Sequence, residues 1–106
     1  MSSLILDSKP WFTTPEKMKK ELIVSPSGNN VKLLCDASGN PPPTVVWYKD
    51  GKRLTHVLQE PGPILPNQFT LTLLSVIPDD KGVYTCNVSN AFGYISKTYK
   101  VEVAGN

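Results

Sequence analysis

The chain has 106 residues, enough for one domain and too few for two. Its composition is ordinary for a folded protein, and a net charge of +2 makes no case for nucleic-acid binding on total charge. No run approaches the roughly 18 apolar residues of a membrane-spanning helix.

Met1-Ser2-Ser3 reads as an expression start, and residues 1–8 lack the ordered basic, apolar and cleavage regions of a secretory signal. The chain is therefore expected to be a piece of a longer protein. Residues 1–9 read as leader or linker, residues 10–103 as one domain, and residues 104–106 as the start of a linker. Ten prolines and seven glycines point to many turns and short strands.

In chain order, Trp11 and Phe12 come first, either as core or as packing against a preceding domain. In the next apolar run, Ile23 is expected inward, which leaves Leu22 and Val24 facing solvent. Val31, Leu33 and Cys35 then alternate with Lys32, Leu34 and Asp36, the period-two pattern of a half-buried strand. Ser38-Gly39-Asn40-Pro41-Pro42-Pro43 reads as the turn that ends it. Val45 and Trp47 alternate with Val46 and Tyr48. Asp50-Gly51 is a tight-turn dipeptide before Lys52-Arg53-Leu54. Residues 61–66 read as a proline-rich connection. Phe69, Leu71 and Leu73 form another inward set. Residues 78–82 read as a polar corner with room for one helical turn. Tyr84, Cys86 and Val88 point in, Asn90-Ala91-Phe92-Gly93 is a hairpin turn, and Tyr99, Val101 and Val103 complete the core. No segment carries a helical period of useful length. Short strands at this spacing mean an all-β sandwich or barrel.

Cys35 and Cys86 lie 51 positions apart, each on the inward face of a strand. Trp47 follows Cys35 by 12 positions and also faces in. Tyr84 stands two before Cys86, within Asp80-Lys81-Gly82-Val83-Tyr84-Thr85-Cys86. This ordered set resembles an immunoglobulin-like β-sandwich of the I-set type, with two antiparallel sheets. The resemblance implies an inter-sheet disulfide between Cys35 and Cys86, with Trp47 packed on it. It also implies a Tyr84 hydroxyl bonded back to the chain at the corner, where Asp80 supplies an acceptor and Gly82 relieves crowding. Two reduced thiols, as in muscle-type intracellular domains of this fold, stay open on the residues alone.

Other runs go further. Pro10-Trp11-Phe12-Thr13-Thr14-Pro15-Glu16-Lys17-Met18, the stretch from Val76-Ile77-Pro78-Asp79-Asp80 into Cys86, Asn90-Ala91-Phe92-Gly93-Tyr94-Ile95 and Thr98-Tyr99 together resemble the second immunoglobulin domain of the fibroblast growth factor receptors. The kinase-lacking receptor-like member of that family is similar too. The likeness covers residues 10–103 and is weakest over residues 55–68. It implies the extracellular part of a single-pass plasma membrane protein, with a fibroblast growth factor-type ligand, heparan sulfate and neighbouring immunoglobulin domains as partners. The growth factor contact would fall on Leu22, Val24 and Pro26, and an exposed apolar strip is itself a candidate contact. The heparin-binding positions match Lys17, Lys20 and Lys32, with Lys19 beside them. Lysines hold sulfates as point charges, and their affinity falls with salt. Asn29 and Leu34 stand where the family often has further basic residues, and Ala104-Gly105-Asn106 lacks its expected arginine.

Asn87-Val88-Ser89 is an N-glycosylation acceptor with Asn87 on the outer face. His56, the single histidine, reads as a solvated loop residue. No cofactor, metal site or catalytic set is expected: no His or Cys cluster has metal-ligand spacing, and Asp79 and Asp80 read as corner residues. No interleaving of basic and aromatic residues suggests nucleic acid. The competing readings are a generic adhesion or guidance-receptor domain and an intracellular muscle-type domain.

Overall fold

The computed structural model describes residues 6–54, 64–66 and 69–105. His56 and most of residues 55–68 lie outside them.

The described residues form ten strands: β1 (Ser8–Phe12), β2 (Leu22–Pro26), β3 (Val31–Leu34), β4 (Ala37–Asn40), β5 (Thr44–Lys49), β6 (Lys52–Arg53), β7 (Ile64–Pro66), β8 (Thr70–Leu73), β9 (Gly82–Asn90) and β10 (Gly93–Ala104). Two short 3-10 turns, Pro15–Met18 and Pro78–Asp80, interrupt them. One layer is a five-stranded sheet in the order β2-β10-β9-β5-β6. The other is built from the sheet β3-β8-β7 and the pair β1-β4.

Alternation places the core as expected. Val31, Leu33, Cys35, Leu71, Leu73, Tyr84, Cys86, Val88, Tyr99 and Val101 are buried and form one cluster with Trp47. Cys35 and Cys86 form a disulfide with their Cα atoms 6.5 Å apart. Trp47 sits directly across from Cys86 in the β5–β9 ladder, so its indole and the cystine fill the same layer of the core. Closing a loop of this length contributes about 4 kcal/mol through the unfolded chain.

The corner before β9 is tied twice. The Tyr84 hydroxyl donates to the Asp80 carbonyl at 2.5 Å, and the Ile77 N–H donates to Asp80 Oδ2 at 2.9 Å. Burial, with the negative charges of Asp80 and Asp50 behind it, pushes the Tyr84 hydroxyl well above the usual tyrosine range. Gly82 holds a φ of +156°, and a Cβ there would lie 2.9 Å from Asp50 Oδ2. No other residue fits that corner without a shift. Asp50 and Gly51, at φ of 51° and 82°, make the tight turn between β5 and β6.

Three features differ from the sequence reading. Residues 37–40 form β4, because β1 arrives alongside with Trp11 opposite Ser38 and Phe12 opposite Ala37. Residues 64–66 form β7, an edge strand where Pro66 is tolerated. Among the described residues all sheet pairings are antiparallel except β2 with β10, which is parallel. That pairing follows from the chain changing layers at Pro15–Met18, between β1 and β2.

Candidate functional site

The edge strand β2 carries the proposed protein contact. Ile23 turns in against the core, Ser25 is buried, and Leu22 and Val24 stand 54% and 60% exposed. Pro26 is exposed at the end of the strand. The register sets Leu22 beside Lys100, Val24 beside Glu102 and Pro26 beside Ala104. Backbone bonds from Lys100 N to the Glu21 carbonyl (2.7 Å) and from Ser27 N to the Ala104 carbonyl (2.9 Å) hold both ends. Two aliphatic side chains are thus presented on a fixed strand. Beside them runs an exposed ion pair, Lys100 to Glu102 at 3.6 Å. Such a pair adds little stability in water, so both charges stay available to a partner. Val83, opposite Lys100 on β9 and 41% exposed, continues the row across the sheet. Sequence reasoning passed over it, although alternation with buried Tyr84 would have found it.

Lys17, Lys19, Lys20 and Lys32 are all exposed. The first three belong to the layer change. Pro15 opens the 3-10 turn, the Lys17 N–H closes it on the Thr14 carbonyl at 3.0 Å, and buried Met18 pins it to the body. Lys32 lies on β3, on the outer side opposite Thr72. β1 runs antiparallel to β4, and Thr13 N–H still bonds the Asp36 carbonyl at 3.0 Å. The chain leaving Thr13 crosses between the layers at Pro15–Met18 and enters β2, so Lys17, Lys19 and Lys20 stand at that crossing, while Lys32 stands on the outer face of the β3-β8-β7 sheet. Glu16 and Glu21 are interspersed and offset half of their charge.

A shallow depression at the same crossing is lined by Phe12, Pro15, Met18, Lys19, Glu21 and Lys97. Lys97 was not anticipated. It occupies an inward register position on β10, and its ammonium leans over the Tyr99 ring at 5.3 Å from the centroid. The Tyr99 hydroxyl in turn donates to the Leu34 carbonyl at 2.6 Å, and burial raises its pKa above the ordinary value. Only the tertiary fold brings Lys97 beside Lys19, so no local signal marks it.

Asn90 is the second unanticipated residue. Its amide donates to the Ser8 carbonyl (2.8 Å) and the Pro41 carbonyl (2.9 Å) and accepts from Phe92 N–H (2.8 Å). One side chain thereby joins the start of β1, the β4–β5 connection and the β9–β10 turn. Among the described residues no group of three or more His, Cys, Asp or Glu could hold a metal ion, and Asp79 and Asp80 belong to the corner.

The sandwich, its cystine and the Tyr84 corner define the class. The immunoglobulin domain family model matches residues 9–90, and the chain belongs to that family. It is a non-catalytic module. Beyond the class, it is 45% identical over 96 residues to fibroblast growth factor receptor-like 1 of Mus musculus and 44% identical to the Homo sapiens protein of that name. The match covers 91% of this chain and 18% and 19% of those proteins, so the chain spans about a fifth of the curated relatives. Among solved structures, Sidekick-1 immunoglobulin domains 1-4 align with a TM-score of 0.79 at 28% identity, over 92% of this chain and 24% of that one. Titin domain M7 aligns at 0.75 and 28%, over 95% and 99%. A fold shared this widely does not select a ligand, so function rests on the exposed residues.

Proposed function

We propose that this domain is an extracellular ligand-binding module of a fibroblast growth factor receptor-type protein held in the plasma membrane by a single span elsewhere in its chain. The β2 strip of Leu22, Val24 and Pro26 takes part of the growth factor contact. Lys17, Lys19, Lys20 and Lys32 take heparan sulfate, and neighbouring immunoglobulin domains complete the receptor.

One observation carries the reading: two aliphatic side chains held out in water on an edge strand, in a chain 45% identical to a receptor-like protein of that name. Solvated leucine and valine on a rigid strand give a partner apolar area with little ordering cost. The lysines add long-range attraction that salt weakens.

Heparin-affinity chromatography tests the polyanion half. The wild-type domain is expected to elute at moderate salt. The triple variant Lys17→Glu, Lys20→Glu, Lys32→Glu is expected in the flow-through with its thermal transition intact. An unchanged elution position sinks the heparan sulfate assignment. If self-association then survives the triple change, a generic adhesion domain takes its place.

A further inference from the structure

The ligand reading makes no use of Asn87-Val88-Ser89. Asn87 lies in β9, the middle strand of the five-stranded sheet. Its neighbours Cys86 and Val88 are fully buried, so Asn87 faces outward. Across the ladders it meets Ser96 on β10 and Val46 on β5. Ser89 shares the outer face two residues on and lies opposite Tyr94 and Thr44. Nearby, the hydroxyls of Thr85 and Thr98 approach within 3.1 Å. The neighbourhood thus mixes short polar side chains, Ser96, Ser89, Thr44, Thr85 and Thr98, with Val46 and the exposed Tyr94.

We propose that Asn87 carries an N-linked glycan that caps this face and leaves the β2 edge as the protein-docking side. The proposal rests on the extracellular placement proposed above. In the transfer, the amide nitrogen attacks C1 of a sugar held on a lipid diphosphate. The N–C1 bond forms, the C1–O bond breaks, the diphosphate leaves with the electron pair, and the amide gives up one proton. The reaction takes the extended chain during synthesis, so a mid-strand acceptor is reachable before the sheet closes.

Geometry separates the glycan from the edge. β2 lies two strand spacings from β9, roughly 10 Å, and Leu22 is registered four residues along β10 from Ser96, roughly 13 Å. Leu22 is therefore roughly 16 Å from the attachment point, and Val24, two residues further, roughly 22 Å. Tyr94 is 68% exposed and sits one diagonal step from Asn87. Such a diagonal neighbour is within reach of an aromatic ring. Its ring offers an apolar plate to the first sugar, which gives this exposed aromatic a partner.

The test is synthesis of the full chain, behind a cleavable secretion signal, into endoplasmic reticulum membranes. Wild type is expected to show one glycosidase-sensitive mobility shift. Asn87→Gln and Ser89→Ala are both expected to lose it, and Ser89→Thr to keep it. Hydroxyl-radical labelling is expected to rise at Tyr94 after deglycosylation and to stay level at Trp11, on the opposite sheet. An unshifted wild type, a shift that survives both losses, or labelling at Tyr94 indifferent to the sugar overturns the proposal. A chain that carries the sugar yet ignores heparin and growth factor sinks the ligand reading alone.

Discussion

Replacing Tyr84 by Phe removes one oxygen from the best-tied point of the fold and leaves the ring in place. The lost bond runs to the carbonyl of Asp80, a residue 9% exposed. A net hydrogen bond contributes about 1 kcal/mol, and a buried carbonyl left without that donor raises the cost to about 2 kcal/mol. For a domain of this size that lowers Tm by roughly 10 °C. Chemical denaturation should show the same loss with an unchanged m-value, because the surface exposed on unfolding is the same. The pH arm is sharper. The folded-state pKa of Tyr84 is raised from the 10.0 of a free tyrosine. Its contribution is therefore fully present below pH 10 and lost as pH climbs above 10 toward the folded value. Tyr99 is raised too and gives a second loss of the same sign. Wild type should weaken above pH 10, and Tyr84→Phe should weaken less steeply. A loss below about 0.5 kcal/mol at neutral pH, or an alkaline limb unchanged in the variant, refutes the reasoning.

Two other changes probe the frame. The double substitution Cys35→Ala, Cys86→Ala should cost about 4 kcal/mol, most of the margin of a small domain, and appear as a Tm lowered by roughly 20 °C; thiol titration of the natural protein should find no free sulfhydryl. Gly82→Ala should cost more than about 1 kcal/mol, because the new methyl meets Asp50 at 2.9 Å and the positive φ disfavours it. Equal denaturation midpoints for wild type and Gly82→Ala would show that the corner relaxes freely.

Local pattern and spacing carried most of the fold. Cys35, Trp47, Tyr84 and Cys86 each reach the interior that alternation assigned, and Leu22 and Val24 flank an inward Ile23 as expected. What stayed hidden depended on partners distant in sequence. Ser38-Gly39-Asn40 has turn chemistry and becomes strand only because β1 pairs with it. Ile64–Pro66 is short and ends in proline, so it reads as connection until β8 lies beside it. The Pro15–Met18 turn is too short for any periodicity. Lys97 and Asn90 do their work through contacts that span the chain: Asn90 reaches Ser8 across 82 positions.

Growth factor binding at the β2 edge is tested most directly by surface plasmon resonance with immobilised fibroblast growth factors and soluble heparin. Wild type is compared with the Leu22→Asp, Val24→Asp variant. Both side chains project into solvent, so the variant should keep the wild-type thermal transition while its growth factor response disappears. A folded variant that binds as wild type does, or a wild type that binds none of the growth factors, would contradict the assignment of that edge.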